Sequence, residues 1–112
     1  MTKRYCLALD LQDDVNLIAE YKRYHEKIWP EITKSIRDSG IENLEIYRLD
    51  TRLFMVMEVA EHFSFAAKAK ADRENPKVQE WEDLMWKFQK ALPNAKPGEK
   101  WILMEQIFKL ES

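Results

Sequence analysis

The spacing of apolar residues changes abruptly along this chain, and that change limits the folds open to it. Over residues 5–11 every second residue is a large apolar one, which is typical of a strand with one buried face. Over residues 15–39 the apolar residues recur every three or four positions, which indicates a helical stripe. Pro30 interrupts the stripe, because an interior proline removes a backbone hydrogen bond and clashes with the preceding turn. We therefore expect one strand and then two helices, the first ending near Ile28 and the second starting at Pro30.

The rest of the chain is predicted to form a hairpin, two helices and a last strand. Residues 44–49 and 53–59 are rich in strand-forming side chains and are separated by a three-residue connection, which predicts a hairpin. A short helix over 64–71 follows, and then a second helix that starts at Pro76 and carries an apolar stripe from Val78 to Leu92. Residues 101–108 form the last predicted strand. The order β-α-β-β-α-β is that of the ferredoxin-like α+β fold. Right-handed crossovers would place both helical segments on one face of a four-stranded antiparallel sheet.

The length of 112 residues fits one domain spanning residues 1–112, since a domain takes about 100–200 residues. The net charge is −2 and no segment concentrates positive charge, so the chain lacks the basic surface of a nucleic-acid-binding protein. No window approaches the roughly 20 apolar residues of a membrane span. The single cysteine, Cys6, excludes an intramolecular disulfide and suits a reducing cytoplasm. With only two glycines, the chain has no glycine-rich phosphate loop.

Both faces of the third and last predicted strands are apolar, although helices can cover only one face of a sheet. On the third strand Phe54 and Val56 oppose the side that carries Leu53, Met55 and Met57. A large exposed apolar patch usually marks an interface. We therefore expect a homodimer in which two copies pack through their open sheet faces.

His25 is the first candidate for chemistry, because its imidazole titrates near neutral pH. It stands within the first helical stripe, one turn after Tyr21 and one turn before Trp29. A histidine on a core-facing stripe is either a hydrogen-bonded core residue or a proton-transfer group in a pocket. The second histidine, His62, follows Glu58 and Glu61 and is expected at the surface, and the two histidines have no recognised metal-ligand spacing.

Aromatic and acidic residues supply further candidates for a binding site. Trp81 lies on the second helical stripe, Trp86 lies off it, and Trp29 sits at the proline break. These rings are either core residues or the flat apolar wall that binds the C–H face of a sugar. Glu105 stands among apolar neighbours on the last predicted strand, where it either is exposed at an edge or lines a pocket as a partner base.

Residues 21–31 resemble the L-rhamnose mutarotase family, whose first helix carries the pattern Tyr-x-x-x-His-x-x-x-Trp-Pro-Glu. All five fixed positions of that pattern are matched, by Tyr21, His25, Trp29, Pro30 and Glu31. The resemblance extends over nearly the whole chain and includes Gly40, Tyr47 and the tryptophan-containing second helix. Two positions depart from the family: Leu44 replaces a substrate-contacting tyrosine, and Trp81-Glu82 replaces a Trp-Trp pair, with Trp86 as a candidate substitute.

The resemblance implies a dimeric α/β barrel that interconverts the α and β anomers of a 6-deoxy-hexose, L-rhamnose or L-fucose, without a cofactor. It implies that His25 is the proton donor and that Tyr21 contacts the sugar. We further expect Trp81 and Trp29 to form apolar walls, Tyr47 and Trp86 to contact the substrate, and Glu105 to act as partner base. The departures lie in the sugar pocket, and the pattern is closer to that of relatives assigned to L-fucose. L-fucose and L-rhamnose differ in hydroxyl configuration, which groups that bind hydroxyls discriminate most sharply.

Two other functions are compatible with the same architecture. One is a monooxygenase, either cofactor-free or haem-using, since such barrels also carry a helix histidine and tryptophans. The other is a regulatory module that binds a small molecule without turning it over. Fold alone does not separate these classes from a mutarotase; the pattern on the first helix favours the mutarotase.

Overall fold

The computed structural model describes residues 3–110, which form an antiparallel sheet with helices against one face. The elements follow in this order: β1 (Lys3–Leu11), α1 (Val15–Glu26), α2 (Pro30–Asp38), β2 (Ile41–Leu49), β3 (Arg52–Val59), α3 (Phe65–Glu74), α4 (Pro76–Trp86), β4 (Gln89–Lys90) and β5 (Ile102–Leu103). The strand order is β2-β3-β1-β4, and β5 also pairs with β1. The predicted ferredoxin-like α+β fold is confirmed, and each of the four predicted helices is present. The first and last two residues of the predicted domain lie outside the described residues.

Local sequence signals fix where the helices begin. Asp14 caps α1 by accepting from the backbone N–H groups of Asn16 and Leu17, and Ser64 caps α3 in the same manner. Pro30 opens α2 and Pro76 opens α4. A backbone N–H at the first helical position has no partner within the helix, so proline loses no hydrogen bond there. The predicted break between the first two helices at Pro30 is confirmed.

The alternation along β1 and β3 separates a covered face of the sheet from an open one. The side chains buried under the helices on these two strands are Leu7, Leu9, Leu11, Leu53, Met57 and Val59. Residues at the intervening positions, such as Cys6, Ala8, Phe54 and Val56, face the other way and are half-buried. The helices and the covered face therefore enclose the core, and the open face carries an apolar centre.

Residues after β5 depart from the prediction. The strand expected over 101–108 pairs with β1 only at Ile102 and Leu103, with one further bond from the Met104 N–H to the Cys6 carbonyl. Residues 104–110 form neither helix nor strand, and Ile107 is 88% exposed. The alternating pattern was misleading here, because alternation reports which faces are apolar and not whether a strand edge is available to pair with.

A short strand that the sequence did not predict lies just after α4. The helical stripe was expected to run on to Leu92, but α4 ends at Trp86 and Gln89–Lys90 pairs with the end of β1 as β4. Among residues 3–110 no helix is both long enough and apolar enough to cross a bilayer.

Candidate active site

His25 lies in the last turn of α1 and contributes to the wall of a cavity between the helices and the sheet. Its Nδ1 atom is 2.9 Å from the backbone carbonyl oxygen of Tyr21. Aromatic rings flank the imidazole, with ring centroids 4.4 Å away for Tyr21 and 5.7 Å away for Trp81. The ring is thus held in one orientation by a backbone bond and by two packed side chains.

The hydrogen bond to Tyr21 determines the tautomer of His25. A carbonyl oxygen only accepts, so Nδ1 carries the proton and Nε2 is the nitrogen left for a ligand. Burial lowers the pKa of His25 below its ordinary value of 6.5, and the hydrogen bond to the Tyr21 carbonyl partly opposes that shift. At neutral pH the imidazole is therefore uncharged, with a proton acceptor at Nε2.

The cavity is about 250 Å³ in volume, slightly below the range of about 300–1,000 Å³ that is usual for small-molecule sites. Its wall is mostly aliphatic and aromatic, with contributions from Ile32, Leu44, Met57, Trp81 and Trp101 among others. The polar side chains in that wall are Tyr21, His25, Ser35, Lys68, Asp72, Glu82, Gln89 and Lys100. A small apolar cavity with a few polar groups suits one small ring that carries hydroxyls.

Tyr21 is 4% exposed, and its hydroxyl oxygen accepts a 3.3 Å hydrogen bond from Nε2 of Gln89. Burial raises the pKa of Tyr21 to about 12; the bond from Gln89 opposes this shift, and the negative charge of Glu82 adds to it. The phenol therefore stays protonated throughout the neutral range. Because its oxygen accepts from Gln89, its own proton is available to donate in another direction.

Gln89 is a functional candidate that sequence analysis missed. It is 3% exposed and also lines the cavity, and its side-chain Oε1 atom has no hydrogen-bond partner within the described part of the chain. A buried side-chain amide usually has a hydrogen-bond partner for each of its polar atoms. Its position in β4 gives no sequence signal, because the apolar spacing over residues 78–92 is that of one continuous helical stripe.

A second polar group missed from the sequence is the ion pair between Lys100 and Glu82. The Lys100 Nζ atom is 2.6 Å from Oε2 of Glu82 and also donates to the Glu82 backbone oxygen at 3.1 Å. The same ammonium lies 4.8 Å from the centroid of the Trp86 ring. Glu82 was noted only as a departure from the family pattern, and Lys100, in a loop, carried no signal.

The structure brings together three of the predicted site residues. Tyr21, His25 and Trp81 all line the cavity. Trp29 does not line the cavity, but its ring packs against that of Trp81, with centroids 5.1 Å apart.

Three other predicted site residues lie elsewhere. Tyr47 pairs with Phe54 on the open face of the sheet and is 55% exposed. Trp86 packs under Lys100 and does not appear in the cavity wall. Glu105 is exposed in the segment after β5. The structure therefore does not unite these three with His25 in one subunit, and their roles stay predictions.

The second histidine is not part of the cavity wall. His62 lies against Gly40, where a Cβ atom would meet the imidazole Nε2 at 3.1 Å, and Gly40 has a φ of 96°. Glycine suits this turn on both counts. Within residues 3–110 no three His, Cys, Asp or Glu side chains are grouped as metal ligands.

The chain is similar in sequence to known sugar mutarotases. A sequence model described as L-rhamnose mutarotase matches residues 4–110. An L-fucose mutarotase from Xanthomonas campestris pv. campestris is 50% identical over 110 residues, which cover 96% of this chain and 88% of the relative. An L-rhamnose mutarotase from Burkholderia cenocepacia is 31% identical over 94 residues, covering 82% of this chain and 85% of the relative.

Solved structures confirm the fold. The L-rhamnose mutarotase from Formosa agariphila superposes with a TM-score of 0.71 at 22% identity, covering 97% of this chain and 99% of the other. The tetracenomycin F2 cyclase from Streptomyces glaucescens superposes with a TM-score of 0.63 at 15% identity, with 98% coverage of each chain. The family model and the 50% identical relative confirm the resemblance found on the first helix. The chain belongs to the L-rhamnose mutarotase family of isomerases.

Proposed function

We propose that this protein interconverts the α and β anomers of a 6-deoxy-hexose and that L-fucose is its preferred substrate. The observation that carries the proposal is His25, fixed on the wall of a small cavity with Nδ1 occupied and Nε2 left for a ligand. The family membership supports the reaction class, and the 50% identical L-fucose mutarotase supports the choice of sugar.

The proposed mechanism needs only proton transfers. Nε2 of the neutral His25 accepts the proton of the anomeric hydroxyl, the bond from C1 to the ring oxygen breaks, and the ring oxygen gains a proton. The open aldehyde then rotates about C1–C2, and the reverse steps close the ring with the opposite configuration at C1. The two oxygens share one carbon, so one imidazole can remove a proton from the first and return it to the second. This order of events makes His25 a base first, whereas the family resemblance implied a donor.

Tyr21 assists this exchange as a hydrogen-bond donor. Its phenol is protonated and its oxygen is occupied by Gln89, so its O–H group is free to donate to the ring oxygen as negative charge develops there. Trp81 forms the apolar wall beside His25, and the aliphatic side chains around it suit a sugar that has a methyl group in place of a hydroxymethyl group.

The test is a comparison of anomer exchange rates for several sugars. Saturation-transfer NMR at equilibrium measures exchange between the two anomeric proton signals with and without protein. We expect the protein to accelerate exchange of L-fucose most, L-rhamnose less, and D-glucose little or not at all. Equal exchange rates with and without protein for every sugar would contradict the proposal.

The pH dependence of exchange distinguishes a base from a donor. Because the pKa of folded His25 lies below 6.5, the neutral base predominates above pH 6.5 and is lost as the pH falls through the lowered pKa. We expect the rate, corrected for buffer catalysis, to be highest at neutral pH and above and to decline as the pH falls below 6.5. A rate that rises as the pH falls below 6.5 would identify imidazolium as the active form.

Protonation of His25 also makes the stability of the fold depend on pH. Below pH 6.5 the unfolded chain binds more protons at this histidine than the folded chain does, so the free energy of unfolding decreases as the pH falls. His25→Gln should remove that part of the pH dependence, as measured by urea unfolding at a series of pH values.

We also propose that two copies pack through the open sheet face. The half-buried centre of that face includes Phe54 and Val56, and the exposed Tyr47 lies beside them. Light scattering at micromolar concentration should give about twice the chain mass of 13.5 kDa. Phe54→Glu should give the monomer mass, because a buried unpaired charge opposes association. A monomer mass for the unmodified protein would contradict the dimer.

A further inference from the structure

We propose that the ion pair between Glu82 and Lys100 binds hydroxyl groups of the sugar and determines which 6-deoxy-hexose stereoisomer the protein prefers. This inference rests on the proposed mutarotase function. It concerns the part of the sugar that does not react, since His25 and Tyr21 act at C1 and the ring oxygen, which all aldohexopyranoses share.

The ion pair is built into the wall of the cavity. Glu82 in α4 and Lys100 just before β5 both line it, as do His25 and Tyr21. The lysine side chain is only 11% exposed, whereas that of Glu82 is 39% exposed. Lys100 is held on three sides, by the Glu82 carboxylate, the Glu82 backbone oxygen and the Trp86 ring. The carboxylate therefore has a fixed place at the cavity, and its charge is balanced there.

Stability of the fold does not explain this pair well. The Glu82 side chain is 39% exposed, and an ion pair with an exposed partner contributes little to stability. The surrounding wall is largely apolar, so apolar side chains would have packed here equally well. The placement of a held carboxylate on this wall is better explained by a polar ligand.

The Glu82 carboxylate also lies within electrostatic range of Tyr21. The negative charge of Glu82 is felt at the Tyr21 hydroxyl, where it contributes to the raised pKa. The other ion pair in the wall, Lys68–Asp72, joins two side chains of the same helix one turn apart. The Glu82–Lys100 pair instead bridges two elements and places a carboxylate near the phenol that would donate to the sugar.

The chemistry of the pair suits discrimination between L-fucose and L-rhamnose. These two sugars share the methyl group and differ only in the configuration of the hydroxyls at C2 and C4, so an apolar wall contacts them almost alike. A carboxylate accepts hydrogen bonds from hydroxyls and an ammonium donates to them, and such charge-assisted bonds are the stronger ones. A hydroxyl in the wrong configuration leaves these groups unpaired, which is how polar sites reject close analogues.

The experiment measures the ratio of second-order exchange rate constants for L-fucose and L-rhamnose by saturation-transfer NMR. Glu82→Gln keeps the size of the side chain and removes its charge, and Lys100→Met removes the group that holds it. The matched control is Glu80→Gln, on the same helix, in an exposed pair with Lys77 and absent from the cavity wall. We expect both cavity variants to shift the ratio towards L-rhamnose by about tenfold and the control to leave it unchanged.

An unchanged ratio in Glu82→Gln and Lys100→Met, with wild-type exchange still accelerated, overturns the inference and leaves the proposed function standing. Equal losses for both sugars in the two variants also overturn it, because they would place the pair in the chemistry or in the fold. Absence of acceleration by the wild-type protein would instead remove the proposed function itself. Thermal unfolding of each variant confirms that the folded protein was assayed.

Discussion

His25→Gln is expected to lower the protein-catalysed anomer exchange of L-fucose by about 10²–10⁴-fold, which is the usual contribution of a positioned proton-transfer group. Glutamine keeps a polar side chain of similar length but has no basic nitrogen. The hydrogen bond to the Tyr21 carbonyl holds the imidazole in place. The glutamine side chain therefore cannot supply a base at the position of His25 Nε2. The exchange rate constant from saturation-transfer NMR measures the loss.

His62→Gln is the matched control, because it removes the second histidine, which lies against Gly40 and outside the cavity wall. We expect exchange in this variant to stay within about twofold of wild type, as a residue outside the cavity wall contributes no proton transfer. Exchange in His25→Gln within tenfold of wild type would remove His25 from the proposed mechanism.

Trp81→Ala is expected to lower the free energy of unfolding by about 3–5 kcal/mol, as large-to-small substitutions in a core do. Trp81 is 8% exposed and packs its ring against the side chains of Tyr24, His25 and Trp29. Its removal would leave a void beside the imidazole and free that ring to move. Urea unfolding followed by circular dichroism gives the loss.

A second tryptophan on the same helix provides the comparison. Trp86→Ala should cost less than Trp81→Ala, because the Trp86 side chain is only half-buried and packs under a lysine. Trp81→Phe should recover much of the stability, since it restores an apolar ring. A loss below 1 kcal/mol in Trp81→Ala would show that the core does not depend on this ring.

The periodicity of the sequence was sufficient for most of the fold. Strict alternation in β1 and the helical stripe after it correctly gave the buried Leu7, Leu9 and Leu11 and the inward-facing Tyr21. The break at Pro30 was predictable because proline cannot occupy a helix interior without cost. The pattern on the first helix also led to the correct family, since it combines one histidine with fixed aromatic neighbours.

The parts that the sequence did not reveal depend on contacts between distant residues. Gln89 meets Tyr21, 68 positions earlier, and Lys100 meets Glu82, 18 positions earlier, so neither pairing has a local pattern. The segment after β5 alternates like a strand, yet pairing with β1 ends near Met104. Whether a strand edge is free, or two polar groups share a cavity wall, is decided by tertiary packing.

The position of bound sugar tests the central claim most directly. A crystal structure with L-fucose should show the sugar in the cavity, with its anomeric oxygen within hydrogen-bond distance of His25 Nε2 and its ring against Trp81. L-fucose bound only outside this cavity, or bound inside it with C1 directed away from His25, would contradict the account.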